Sequence, residues 1–405
     1  MGGAIAVIIG VVFGAVVIVG GAFYVATRPS IAEPETVVAA AAVADISPEL
    51  PSPETAYEGT VVYYEEAVYE KPEEYQKEAI YEDPEEYRPA ENYGQPPVEP
   101  LTEYTTITIS AAGCTTLGGD SRWAGYHRFM GEFDRGGHSF FLRNVRDIFY
   151  SSDLSILNLE GTLTYAYEHM DKEFVFRGPP HFARILSYGA VDVVTIANNH
   201  TIDFFDRGYY DTRRALYAEG IAYFGNEFNT ILDVNGINVG LFGFRVWNPY
   251  QYNRNRIAAA VEDLRARGAQ LVIAYHHWGY ENVNMANDVQ RTMGRWTVEA
   301  GADLVLGSHP HVIQGIEIYQ DVHIVYSLAN FSFGGNSNPP DQDSFIFQQT
   351  FTFRDGELLH RDDAYLIPVF VSSTRSYNNF QPTVAEGADA DRILQRLRTY
   401  SSWLE

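Results

Sequence analysis

Glutamate, asparagine and histidine recur in this 405-residue chain just past short apolar runs rich in β-branched residues. Glu160 follows Ser155-Ile-Leu-Asn-Leu, and Asn198, Asn199 and His200 follow Val193-Val-Thr-Ile-Ala. His276 and His277 follow Leu271-Val-Ile-Ala-Tyr, and His309 and His311 follow Leu304-Val-Leu-Gly-Ser. Imidazole with carboxylate and amide oxygen suits borderline divalent ions such as Zn, Mn or Fe. Pro310 restricts the backbone on both sides, so His309 and His311 are presented from a stiff turn. One His beside a strand is more often a hydrogen-bonded structural residue, and Glu160 alone could cap a helix or pair with a cation. Two readings therefore stand: four strand ends meeting around a divalent cation, or a polar cleft that holds no metal.

The elements that would position these residues alternate. Strand-like runs lie at 105–110, 154–159, 191–197, 237–243, 270–275, 303–307 and 322–328, with helical stretches between them. The clearest helix is 288–300, where Val289, Met293, Trp296 and Ala300 share a face and Gly301 follows as a stop. Such alternation predicts α/β layers around a mainly buried sheet, whose ligands gather at the carboxyl ends of the strands. Residues 344–371 read as a β-hairpin turning at Asp355-Gly356, and 388–404 as a surface helix.

A family resemblance rests on a set of motifs. Asn158-Leu-Glu160, Phe176-Arg-Gly-Pro-Pro180, Asn198-Asn-His200 with Asp203, and His277-Trp-Gly279 with Glu281 belong to it. So do Ser308-His-Pro-His-Val312 and Tyr326-Ser-Leu-Ala-Asn-Phe331. In order and approximate spacing, over about residues 104–335, these resemble the CapA family of bacterial poly-γ-glutamate capsule proteins. The resemblance implies an α/β fold of the calcineurin-like metallophosphoesterase type, a layered β-sandwich with flanking helices. It makes Glu160, Asn199, His277, His309 and His311 ligands of a divalent metal ion. His200 would be the catalytic general acid, or a donor to a phosphate-like oxygen. Arg177 would clamp a carboxylate or phosphate with paired donors, and Asn198, Asp203, Glu281 and Asn330 would also face substrate.

One departure bears on chemistry. Where the family has Gly-Asp after its first strand, this chain has Gly113-Cys114. A thiolate binds Zn but disfavours Mg or Mn, and loss of that carboxylate puts a two-metal hydrolysis in doubt. Asp120 is near enough in sequence to be considered as a substitute. Smaller departures are Ser308, where the family often has His, and Ala329, where it often has Gly.

Outside this region the composition shifts. Residues 4–26 are an apolar run with no charge between Met1 and Arg28, long enough as a helix to cross a bilayer. A cleaved secretory signal would call for a basic start and a shorter run, so a retained transmembrane helix is expected. Arg28 by itself would keep its flank inside the cell, against the family's placement of the domain outside. Residues 29–100 carry 18 acidic and 3 basic side chains, 15 of the chain's 25 net negative charges, and read as a disordered Glu/Pro/Tyr-rich stalk. The CapA-type domain is expected over 102–375, with a tail over 376–405. No basic face is offered to nucleic acid, there is no nucleotide-binding loop, and the single cysteine leaves no internal disulfide.

The expected role is that of a single-pass cell-membrane protein with its C-terminal domain extracellular, an accessory of capsule polymer synthesis or export that binds the anionic polymer. Its partners would be the membrane, the polymer and capsule synthase membrane subunits. The alternatives are a metal-dependent hydrolase of phosphoester or amide bonds, and a non-catalytic module that recruits a synthase.

Overall fold

A computed structural model describes residues 103–404 and, far upstream, the strands Val16–Val19 and Ala22–Val25. Those two short strands, rich in β-branched residues, pair antiparallel inside the run expected as a transmembrane helix. The rest of that run, and the expected stalk at 29–100, lie outside the described residues. Among the described residues no helix is long and apolar enough to cross a membrane.

Residues 103–404 build two large mixed sheets, besides a two-stranded pairing of Thr162–Leu163 with Arg177–Gly178. In the first, β1 (Tyr104–Thr116), β2 (Leu154–Leu159), β3 (Val193–Thr195) and β4 (Ala222–Phe224) run parallel. In the second, β5 (Thr230–Val234) opens the edge antiparallel to β6 (Ile237–Phe242). From β6 the order continues in parallel through β8 (Leu271–Trp278), β9 (Leu304–Ser308) and β11 (Val322–Val325). The short β7 (Arg245–Val246) pairs with the end of β8, and β10 (Ile316–Tyr319) closes the other edge against β11. The chain then returns to the first sheet. There β12 (Asn330–Phe333) lies along the end of β1, and β13 (Asp343–Arg354) lies antiparallel along its start. β14 (Glu357–Arg361) pairs back onto β13 through the Asp355-Gly356 turn, where Asp355 takes a positive φ of 52° and Gly356 one of 81°. β15 (Tyr365–Phe370) pairs with the first half of β13, and β16 (Thr383–Val384) with β15. The segment read as one hairpin is thus three strands: β13 is long enough to carry β14 and β15 in succession.

Three apolar layers follow from period-two burial. Ile107 and Ile109 of β1, Ile156 of β2, Ile273 of β8, Leu306 of β9 and Phe347 of β13 meet between the sheets. Outside the first sheet, Leu157 and Val194 pack on α1 (Ala124–Gly136), α2 (Arg146–Tyr150), α3 (Ala183–Tyr188) and α4 (Phe205–Ala218) through Phe129, Phe149, Leu186 and Leu216. Outside the second, Val272 and Val305 pack on α5 (Gln251–Ala266) and α6 (Asp288–Glu299) through Leu264 and Met293. The result is an α/β/β/α layering, and all layers leave the carboxyl ends of β2, β3, β8 and β9 free to carry polar residues. Helix α6 begins with a capping box between Asn287 and Gln290. The C-terminal helix α7 (Gly387–Ser402) sends Ile393 and Leu397 into the inner core.

Candidate metal centre

Strand parity decides which polar residues reach a common point. On β8, Leu271, Ile273 and Tyr275 face the inner core, while Val272 and Ala274 face the outer one. His277 therefore points inward and His276 outward. His276 Nε2 lies 3.0 Å from Thr297 Oγ1, among Phe242, Phe244 and Trp278, and belongs to the packing. On β2 the same parity turns Asn158 and Glu160 inward with Leu154 and Ile156, and on β9 it turns Ser308 inward with Leu304 and Leu306.

Cys114 reaches the same place only because β1 is bulged. Ala111 pairs with Ile156 and Cys114 with Asn158, so β1 spends three steps where β2 spends two. Gly113 is needed there, because a Cβ would lie 2.0 Å from the Ala329 carbonyl oxygen. The Cys114 amide bonds that same oxygen at 2.9 Å.

Glu160 sits at the centre. It is fully buried, and neither carboxylate oxygen has a hydrogen-bond partner. Its Oε1 lies 3.6 Å from His277 Nε2 and 3.8 Å from His311 Nε2. Asn199 Oδ1 is 2.7 Å from His277 Nε2. Potential ligand atoms of Glu160, His277 and His309 lie within 4.8 Å of one another, as do those of Cys114, Glu160 and His311. A third such group joins Glu281 to His309 and His311. His309 and His311 hold positive φ values of 99° and 58°, uncommon for residues with a side chain. The Asn282 amide bonds the Pro310 carbonyl at 2.8 Å, and His311 Nδ1 meets Asn330 Oδ1 at 2.9 Å, which fixes this turn.

Burial sets the charge state. It drives His277 well below the usual imidazole range, with His309 and His311 adding to the effect. It lowers His309 to about 3, and lowers His311 despite the pull of Glu160. Burial also raises the carboxyl of Glu160 and the thiol of Cys114. Imidazoles that burial holds neutral and a carboxylate without a hydrogen-bond partner thus converge on one point. A divalent cation fits that donor set.

Beside this cluster, His200 Nδ1 is 2.6 Å from Asp203 Oδ2, and Phe176 stacks on the ring at 4.0 Å. Asp203 also accepts from Lys172 Nζ at 2.6 Å and from the Phe176 amide at 2.6 Å. The imidazole thus spends Nδ1 on Asp203, and burial lowers its affinity for a second proton. His200, Glu281, His311 and Asn330 line a 350 Å³ cavity, walled by Trp123, Phe174 and Phe333. Glu281 is the one charged side chain in that lining; no Lys or Arg contributes to it.

Four expectations change. Arg177 does not reach the cavity: its guanidinium bonds the Ala166 carbonyl and packs over Phe204 at 5.2 Å. Asn198 faces inward, donating to Asn158 Oδ1 at 3.1 Å and the Leu159 carbonyl at 2.8 Å, so it supports the neighbouring loop. Asp203 is consumed by His200 and Lys172, which leaves no face for a substrate. Asp120 forms an ion pair with Arg122 and accepts from the Val175 amide, so it does not replace a ligand. Two further residues prove central. Asn158 bonds Ser308 Oγ at 2.9 Å and lies 3.4 Å from His277 Nδ1; its parity with Glu160 was a usable signal. Lys172 also holds the Asn199 carbonyl at 2.9 Å, but it lies in an irregular loop whose sequence gives no pattern.

A family model described as "Bacterial capsule synthesis protein PGA_cap" matches residues 108–335, more than half of the chain. Among curated proteins, the chain is 30% identical over 220 residues to "PGA biosynthesis protein CapA" of Bacillus subtilis, covering 49% of this chain and 58% of that one. It is 27% identical over 226 residues to "Capsule biosynthesis protein CapA" of Bacillus anthracis, covering 49% and 55%. A "probable polyglutamine synthesis accessory protein" of Mycobacterium tuberculosis is 27% identical over 214 residues, covering 44% and 55%. The matches thus span less than two thirds of these relatives.

Proposed function

The chain belongs to the bacterial capsule synthesis protein family PGA_cap, and on that premise we propose that it is an accessory protein of capsule polymer synthesis or export that binds a poly-γ-glutamate-type chain at the Glu160 site. The observation that carries the reading is the buried Glu160 carboxylate with no partner, faced by His277, His309 and His311. A divalent ion there would be held by Glu160, Asn199, His277, His309 and His311. It would supply the positive charge that the cavity lining lacks, for a carboxylate of the polymer. Trp123 and Phe174 form a wall for the apolar parts of the ligand. The fold is taken to be of the calcineurin-like metallophosphoesterase type. The apolar run at 4–26 would anchor the chain in the cell membrane, with residues 29–100 as a spacer and the C-terminal domain outside, beside membrane subunits of a synthase. Deleting the gene in its host and quantifying surface polymer tests the role: unchanged polymer rejects it. Digestion of intact cells with protease tests the topology, since a protected C-terminal domain rejects the outside placement.

A metal-dependent hydrolase is the second reading, favoured by His200, which lines the cavity and is held by Asp203. Hydrolysis of a phosphoester or amide that persists in both His200→Ala and His309→Ala rejects it.

A further inference from the structure

The donor set divides unevenly. Cys114 is the chain's one cysteine, its thiol is fully buried, and the bulge in β1 turns it toward Glu160 and His311. Asn158 Nδ2 donates to Sγ at 3.6 Å. Asn158 is itself held by Ser308 Oγ at 2.9 Å and Asn198 Nδ2 at 3.1 Å, so that donor is fixed in place. The two clusters built on Glu160 have no other residue in common. One contains Cys114 and His311, the other His277 and His309, and they meet at Glu160, whose Oε1 lies 3.6 Å from His277 Nε2 and 3.8 Å from His311 Nε2.

We infer that the cation site consists of two chemically unequal subsites sharing Glu160: a thiolate subsite of Cys114, Glu160 and His311 that takes a thiophilic ion of the zinc class, and a nitrogen/oxygen subsite of Glu160, Asn199, His277 and His309. This rests on the metal-holding reading above and specifies which ion that reading requires. At the thiolate subsite the Cys114 S–H bond breaks, the sulfur–metal bond forms, and the proton leaves to solvent. Soft sulfur ranks zinc above manganese or magnesium more steeply than the imidazole, carboxylate and amide donors of the other subsite do. Cys114 is therefore a selecting ligand.

Because there is one thiol, any sulfur signal belongs to it. The full-length chain, stripped by chelator, is titrated with Co(II) and then with Zn(II), with absorption and bound metal measured. The expected result is two equivalents of cobalt, a thiolate-to-cobalt charge-transfer band in the near ultraviolet, and loss of the band on zinc addition. Cys114→Ser should lose the band and one equivalent. Cys114→Asp should keep two equivalents without the band and lower the preference for zinc over manganese by about ten-fold or more. His309→Ala should keep the band, which covers the case in which Cys114 variants do not fold. Cobalt bound to the folded wild-type chain without a sulfur band overturns the unequal subsites and leaves the metal-holding reading intact. A folded chain that binds neither cobalt nor zinc overturns both.

Discussion

Glu160 pays for its position. A buried carboxylate without hydrogen bonds costs several kcal/mol, and burial already pushes its carboxyl toward the protonated form. Glu160→Gln should make the metal-free protein more stable by on the order of 1–2 kcal/mol while reducing metal affinity by about 100-fold. Denaturant unfolding in chelator and metal analysis measure the two effects, which must have opposite signs. The neighbouring His276 and His277 show how one step along a strand separates packing from chemistry. Burial lowers His276 to about 3, so between about pH 3 and 6.5 the unfolded chain binds a proton there that the folded chain refuses, and stability falls as pH falls. At about pH 5 this amounts to about 2 kcal/mol relative to neutral pH. His276→Gln should remove about that much of the acid destabilisation, read from urea midpoints at the two pH values. At this scale the sequence exposed what strand ends deliver: Glu160, Asn199, His277, His309 and His311 converge as their positions imply. It hid what depends on a loop's path. The Arg177 guanidinium turns away onto Ala166 and Phe204, and Lys172 arrives from an irregular segment.

Among the elements, β1 carries the least obvious feature. Its bulge inverts the facing of Cys114, and Gly113 permits it by allowing β1 to touch the Ala329 carbonyl. Gly113→Ala places a carbon against backbone that cannot retreat, and should cost about 3 kcal/mol in unfolding free energy. It should also abolish metal uptake, whereas Asn287→Ala, which removes the cap of α6, should cost about 1 kcal/mol and leave metal uptake intact. Thermal unfolding with metal analysis separates the two variants. Regular elements such as β2 and α6 fall within a residue of their expected bounds, since parity and helical period are local signals. The bulge has no such signal, because it arises from pairing between β1 and β2, residues far apart in sequence. The three-strand arrangement of β13, β14 and β15 was read as one hairpin because only its Asp355-Gly356 turn is marked locally.

Across the domain, layers are joined by side chains as well as by the inner core. Tyr275 of β8 donates to the Ala112 carbonyl of β1 at 2.8 Å, tying one sheet to the other. Helix α7 adds Ile393 and Leu397 to the inner core, and Arg392 and Arg396 pair with Asp343 at the start of β13. Leu397→Ala should cost 2–5 kcal/mol, about what a buried leucine costs elsewhere, as measured by denaturant unfolding. The proposed ligands divide in the same way as the layers: Cys114, Glu160 and Asn199 come from the first sheet, and His277, His309 and His311 from the second. An ion gripped by both halves would act as a rivet through the sandwich. It would add to the inner core and the Tyr275 bond as a further tie between the sheets, so that the domain's stability would rise with the free metal around it.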